Sequence, residues 1–393
     1  WGKAYEYLSC VEGLVELHRL TGESSYLIAA ERFHASLMAH ERNPVGIISF
    51  HDKFCGSARL RNGMSEICES IHWSRLSYEL FLATGDTRYA DEFEQTLYNA
   101  VLVAPNQEGT WALRRLRLSH EHASAPKHCK LEHHHCCVDN LPRGFMQAAD
   151  IAVLREGAGV NVVLYNDGQG EVTLASGRTL EIEIEGGYPR NGALRISLRL
   201  AEAETFPLRL RIPQWSTCTT VVAPDGATSQ AFPGGWFEMS RKWRDGDVVE
   251  IRLDMSARVE FFDARGLGDD DPLVQTAVQQ WANLPVFMPE PTIRLSVEEA
   301  QPQRPAILVQ RGPLVLARDL RLGDEDVCAT LPQDAAGAPV PRLEERPAPD
   351  GVWLAWDAWF GDNTPPVPLC DFSSAGSTWD KNTSLFNTWL PLP

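Results

Sequence analysis

The chain has 393 residues, 44% hydrophobic and 23% charged, with 26 prolines scattered along it, the profile of a globular protein with a large core and two or three domains. Its 36 basic and 53 acidic side chains give a formal charge of −17. That balance argues against a nucleic-acid or anionic-membrane surface, because phosphate binding needs clustered lysine and arginine, and it leaves uncharged partners such as sugars open. No apolar run approaches the roughly 20 residues needed to cross a bilayer, and WGKAYEYLSC lacks the basic-then-apolar form of a signal peptide, so a soluble, cytoplasmic chain is expected. It begins at Trp1 without an initiator Met and reads as processed or as part of something longer.

The first 155 residues read as helical. AYEYLSCVEGLVELHRL carries apolar residues at Leu8, Val11, Leu14, Val15 and Leu17, close to a helical stripe, and stops at Thr21-Gly22, where glycine suits the left-handed C-terminal position. SSYLIAAERFHASLMAH follows after a short connection and completes an αα-hairpin. CESIHWSRLSYELFLATGDTRYADEFEQTLYNAVL repeats the pattern, its Thr84-Gly85 stop lying 63 residues after the first. Repeated helical hairpins of this kind suggest a toroid or solenoid.

After about residue 159 the texture changes to short alternating runs, among them EVTLASG, TLEIEIEGG, ALRISLRLAE and VVEIRLDM, separated by Gly, Asn, Asp and Pro turns; this is the pattern of an antiparallel sandwich. It runs to about residue 260, is interrupted by GLGDDDP, and resumes in AILVQRGPLVLARDL. The expected fold is therefore multidomain α+β, with residues 1–155 helical and residues 156–393 a β-sandwich region of one or two subdomains. All eleven histidines and six of the nine cysteines lie at or before residue 137, so metal-binding and proton-moving groups are concentrated in the helical part. An odd cysteine count without a small-domain framework fits a reducing compartment or metal use better than a disulfide scaffold.

HHHCCVDNLPRGF, residues 133–145, poses the chemical question: a metal site, a redox pair, a reactive thiol or a crowded loop. Adjacent cysteines have poor geometry for a mutual disulfide, which disfavours a redox switch. Asn140 suits an N-cap and Pro142 a first helical turn, so the two thiols are expected just before a helix N-terminus, whose partial positive charge favours thiolate. Two neighbouring thiolates repel and call for a cation. Glu66 and Cys68 are candidate further ligands, although residues two apart share a side only where the backbone is irregular, as at a helix entrance after Gly63. Three thiolates and a carboxylate suit zinc. Against this stands the plain reading that buried cysteines are inert small hydrophobes. Three consecutive histidines cannot easily converge on one ion, and His133, His134 and His135 read as bystanders.

The sequence resembles glycoside hydrolase family 127, the retaining β-L-arabinofuranosidases and their relatives. The resemblance spans nearly the whole chain, through AYEYLSCVEGLVELHRLTG, the Glu-x-Cys of SEICES, TGDTRYADEFEQTLYNAVL, CCVDNLPRG, LRLRIPQW, GGWFEMSRKWRDGD, QRGPLVLARD and FNTWLPLP. It implies an (α/α)6-barrel catalytic domain followed by β-sandwich domains, and a zinc ion held by Glu66, Cys68, Cys136 and Cys137. It implies further that Cys136 is the nucleophile and that a thioglycosyl intermediate is hydrolysed with net retention. The segment FHDKF, residues 50–54, puts Asp52 where relatives carry an acid/base glutamate, and Lys3 falls where some carry a substrate-contacting histidine. Only about five helices are present where six hairpins need twelve, so the N-terminal half of the barrel is expected outside this numbering.

The leading expectation is a zinc-dependent cysteine glycosidase acting on an L-arabinofuranoside or similar glycan, with no nucleic-acid or membrane partner. The alternatives are a catalytically weakened carbohydrate-binding protein that keeps the zinc as a staple, a glycosidase for another sugar and, more distantly, a thiol-redox protein. Trp73, Tyr78 and Trp111 are candidates to stack on a sugar, although core or surface packing is the commoner role of such residues.

Overall fold

The computed structural model describes residues 3–50, 52–54, 56–59, 64–120, 122–124, 136–262, 305–324, 326–332, 340–362, 364–378 and 384–393. The histidine run 133–135, Gly63 and the stretch 266–272 lie outside these. The described part is mixed α+β.

Five α-helices are present among the described residues: α1 (Ala4–Thr21), α2 (Ser24–His40), α3 (Ile67–Thr84), α4 (Thr87–Thr96) and α5 (Cys136–Ala152). The two hairpin stops have the same construction. Gly22 and Gly85 take left-handed φ of 72° and 69°, and their N–H groups close onto the carbonyls of His18 and Phe81. Each is followed by an acidic N-cap: the Glu23 side chain accepts from the Ser25 N–H, and the Asp86 side chain from that of Arg88. Helix α3 packs against α1, α4 and α5. Its first eleven residues are buried almost all round, through small or polar Ser70, Ser74 and Ser77 as well as Ile67, Ile71 and Leu76, which makes it an inner helix.

Helix α5 departs from expectation. It begins at Cys136, and Pro142 lies inside it. Asn140 does not cap the N-terminus; its side-chain amide donates to the Cys136 carbonyl at 2.8 Å, within the helix. The proline leaves the Val138 carbonyl without its usual i+4 donor, yet the helix runs on to Ala152. Its approach to its neighbours is close. A Cβ at Gly144 would sit 3.1 Å from the Val101 side chain.

Strands β1 (Met64–Glu66), β2 (Leu113–Arg117), β3 (Ser119–His120) and β4 (Ala123–Ser124) lie among the helices, and β1, β2 and β4 form one small sheet. Two sheets follow, built from β5 (Val153–Glu156), β6 (Gly159–Val162), β7 (Gly168–Thr173), β8 (Thr179–Glu185), β9 (Ala193–Leu200), β10 (Glu204–Ile212), β11 (Thr219–Val222), β12 (Thr228–Ala231), β13 (Gly235–Trp243) and β14 (Val248–Arg252). Their orders are β13-β10-β6-β5 and β12-β11-β14-β9-β8-β7. Alternation is what sorts their faces: Leu180, Ile182 and Ile184 of β8 and Leu194, Ile196 and Leu198 of β9 point into the core that Leu208, Leu210 and Ile212 of β10 also line.

The last sheet holds β15 (Ala257–Phe262), β16 (Ala306–Arg311), β17 (Leu314–Asp319), β18 (Arg342–Arg346), β19 (Ala355–Trp359) and β20 (Val367–Asp371), with short β21 (Phe386–Asn387) and β22 (Leu390–Pro391) at its margin. AILVQRGPLVLARD is nearly continuous in apolar residues because β16 and β17 are buried on both faces. Ala306, Leu308, Val315 and Ala317 join the core of the helical part, whereas Ile307, Val309, Leu314 and Leu316 join that of the two preceding sheets. The tail returns to the helical part, Phe386 pairing with His120 and Asn387 with Ser119.

Candidate metal and catalytic centre

The change from extended to helical backbone at Glu66 builds one half of the site. Glu66 ends β1 and stands as the N-cap of α3 with φ −76° and ψ 144°, so its side chain and that of Cys68, one residue into the helix, meet: the Cys68 thiol lies 3.6 Å from Glu66 Oε2. The first turn of α5 supplies the other half. Cys137 Sγ is 4.0 Å from Cys68 Sγ, and one ligand atom from each of Glu66, Cys68, Cys136 and Cys137 lies within 4.8 Å of the others. Glu66, Cys68 and Cys137 are buried, and Cys136 is half-buried.

These spacings fit a tetrahedral zinc. Zinc–sulfur bonds of about 2.3 Å and zinc–oxygen bonds of about 2.0 to 2.2 Å place two sulfurs roughly 3.8 Å apart and a sulfur and an oxygen roughly 3.6 Å apart. The chemistry fits as well. Hydrogen bonding with Cys136 comes first among the causes that push the Cys68 and Cys137 thiols well above their usual range, with burial adding to it, so a shared cation is what would let this packed group deprotonate.

Charged neighbours hold Glu66 from two sides. Arg114 Nε donates to Oε1 at 2.9 Å, and Lys3 Nζ approaches Oε2 at 3.4 Å. The Glu66 carboxyl is nevertheless raised, by burial first and by the charge of Asp52 second, with Lys3 and Arg114 opposing. Lys3 also pairs with Asp52 Oδ2 at 3.2 Å. Burial opposes the Lys3 charge, but Asp52 and Glu66 together hold it above its usual range. Arg114 was not visible as a site residue in the sequence. Its one signal is the period-2 register of the strand, which puts it on the same side as buried Ala112, Leu116 and Leu118.

Asp52 is half-buried, and it alone among the described non-glycine residues has positive φ, at 67°. Its backbone carbonyl accepts from the Ala4 N–H at 2.9 Å, which ties this turn to the start of α1. Its charge acts on Glu69, a residue sequence reasoning passed over, although it lies inside SEICES. Glu69 is fully buried and pushed well above the ordinary carboxylate range, by burial first and then by the Asp52 charge.

The aromatic candidates fare differently. Trp73 is fully buried, stacked on His34 at 4.2 Å with its N–H on Glu92, and cannot meet a sugar. Tyr78 packs partly buried against the helical core. Trp111 is half-buried.

A family model described as beta-L-arabinofuranosidase, GH127 catalytic domain, matches residues 9–150, and one described as beta-L-arabinofuranosidase, GH127 middle domain, matches residues 159–255. Together the matches cover more than half of the chain. No curated protein matches it. Among solved structures, a GH127 beta-L-arabinofuranosidase from Geobacillus stearothermophilus T6 is similar with TM-score 0.71 and 19% identity. A structure described as a glycoside hydrolase gives 0.71 and 19%, and a GH127 beta-arabinofuranosidase gives 0.72 and 19%. Each similarity covers 100% of this chain but only 61%, 66% and 60% of those chains in turn, so the chain spans less than two thirds of their length. At this identity the structural likeness speaks for the fold.

Proposed function

The chain belongs to glycoside hydrolase family 127, and on that premise we propose that it is a retaining glycoside hydrolase with a cysteine nucleophile, acting on β-L-arabinofuranosides or a closely related sugar. Residues 1–155 are then the C-terminal part of an (α/α)6 barrel, and residues 156–393 its β-sandwich region. The observation that carries the reading is the convergence of Glu66, Cys68, Cys136 and Cys137 with one thiol left half-buried.

That thiol is Cys136. It lies in the first described turn of α5 (Cys136–Ala152), and of the four residues it is the one not fully buried. Zinc, when bound by Glu66, Cys68, Cys136 and Cys137, would keep the thiols deprotonated and neutralise their mutual repulsion. Cys136 Sγ attacks the anomeric carbon while the bond to the departing oxygen breaks, and Asp52 gives that oxygen its proton. The resulting carboxylate takes a proton from water, whose oxygen attacks the anomeric carbon and displaces the Cys136 thiolate. Two inversions restore the starting configuration. Lys3 holds Asp52 and Glu66 in one cluster throughout.

The test is proton NMR of the first sugar anomer released from p-nitrophenyl β-L-arabinofuranoside, together with zinc content. First-formed β anomer from protein carrying about one zinc per chain supports the reading. First-formed α anomer contradicts it, and zinc-bearing protein inert on every aryl glycoside points to a carbohydrate-binding role.

A further inference from the structure

We propose that the outer edge of β7 is a docking site for an extended peptide segment whose residues alternate between apolar and basic. The inference goes beyond the hydrolytic reading and stands independently of it.

Strand β7 ends the larger of the two sandwich sheets, β5 ends the smaller, and the two strands approach each other on one flank. Between β7 and the end of α5 runs a groove of about 400 Å3. Small residues, Ala148, Ala149 and Ala152, make its helix wall, and Ile182 and Ile184 of β8 line it from the sheet side. β7 reads GQGEVT, and Gly168 and Gly170 stand opposite Ile184 and Ile182 in the register. A Cβ at either glycine would meet nothing within 4 Å. β7 therefore offers no side chain at two successive core-side positions, and apolar side chains from outside have room there. Among the described residues β7 pairs with β8 alone, so the N–H and C=O groups of its outer edge face no strand.

The other face supplies the charge. Glu171 stands directly opposite Glu181, and neither has a hydrogen bond or ion pair among the described residues. Arg199, the next residue across that row, gives its guanidinium to Glu183 at 3.1 Å instead. Like charges directly opposite one another weaken a sheet, and a lysine or arginine on an added strand would continue the row with alternating sign. The same acids disfavour a second copy of this chain, because two β7 strands side by side would bring their Glu171 side chains near each other. The occupant is thus a strand of different composition: its backbone pairs with β7, alternate side chains enter the groove, and those between them meet Glu171.

The experiment adds a fluorescent peptide of six residues, the length of β7, to the full-length protein and follows its anisotropy. Lysine and isoleucine alternate in it, and both ends are capped. The expected result is saturable binding of one peptide per chain, weakened by salt, with slowed hydrogen exchange confined to residues 168–173. A peptide of the same composition with its lysines grouped at one end is expected to bind about tenfold more weakly or worse. Gly170→Val fills the gap in β7 without a clash and is expected to weaken the alternating peptide by about tenfold. Glu171→Lys changes one exposed side chain and is expected to weaken it as much and to remove most of the salt dependence. Urea midpoints show that both variants fold. No binding, equal affinity for the grouped peptide, or binding unchanged in both variants overturns the inference. Dimers that form through β7, or β7 amides already protected without peptide, overturn it too, since the edge then belongs to a second copy or to another segment of the same chain.

Discussion

Arg114 Nε donates to Glu66 Oε1 at 2.9 Å, from a strand 48 residues away in sequence, and both side chains are buried. The Arg114 carbonyl also faces the Cys137 thiol at 3.7 Å, so one residue braces both halves of the candidate zinc centre. Groups that orient a ligand in this way typically contribute 10- to 100-fold in metal affinity. Arg114→Met is therefore expected to weaken zinc binding by roughly that factor, measured by competition with a chelator. Unchanged affinity would make the contact structural only.

A second buried ion cluster joins the helical part to the β part. Fully buried Arg211 of β10 pairs with Asp91 and, at 2.7 Å, with Glu94, both from α4. Tyr188 donates to Glu94 at 2.8 Å. Removing the arginine strands buried Glu94 and half-buried Asp91, so Arg211→Met is expected to destabilise the fold by about 3 kcal/mol in urea unfolding. A loss under about 1 kcal/mol would mean that water or protonation relieves them.

Stability should fall in acid through two histidines. Burial holds His34 down to about 3, helped by the charges of Arg88 and Arg42, and burial likewise holds His122 down to about 3. Both are neutral when folded, whereas the unfolded chain protonates them near pH 6.5. The unfolded state thus binds more protons below that pH, and stability that is full above about 6.5 is lost progressively toward about 3. His34→Gln can keep the contact to Ser77 Oγ, now 3.1 Å away, without taking a proton. It should lower the pH slope by about 1.4 kcal/mol per unit in this window. Parallel curves for variant and parent would refute the assignment.

Two glycines of similar φ should respond differently to alanine. Gly85, at 69°, has nothing within 4 Å of the position a methyl group would take, and Gly85→Ala should carry only the left-handed strain of about 1 to 2 kcal/mol. Gly46, at 87°, would place that methyl 2.6 Å from Thr96 Oγ1, in the turn packed on α4. Gly46→Ala should add overpacking of about 1 to 3 kcal/mol to the strain. Equal urea midpoints for the two variants would contradict this.

Much of this arrangement was legible in the sequence where local chemistry is decisive. Thr21-Gly22 and Thr84-Gly85 announced the hairpin stops because only glycine takes that conformation freely, and TLEIEIE announced a half-buried strand by alternation. Asn140 misled: its amide has two uses near a helix start, and here it bonds the Cys136 carbonyl rather than an N–H, inside a helix that already includes Cys136. Arg114 and Glu69 were passed over for a different reason. Arg114 meets Glu66 and Glu69 meets Ser49 through tertiary contacts, and spacing along the chain carries no record of those.

The most direct test of the central claim is the mass of the Cys136 peptide after acid quench during turnover of p-nitrophenyl β-L-arabinofuranoside. The expected result is a peptide heavier by one pentosyl unit, which is absent when substrate is omitted and absent in Cys136→Ser, a variant that no longer releases p-nitrophenol. Turnover that persists in Cys136→Ser, or a pentosyl group found on another residue, would contradict it.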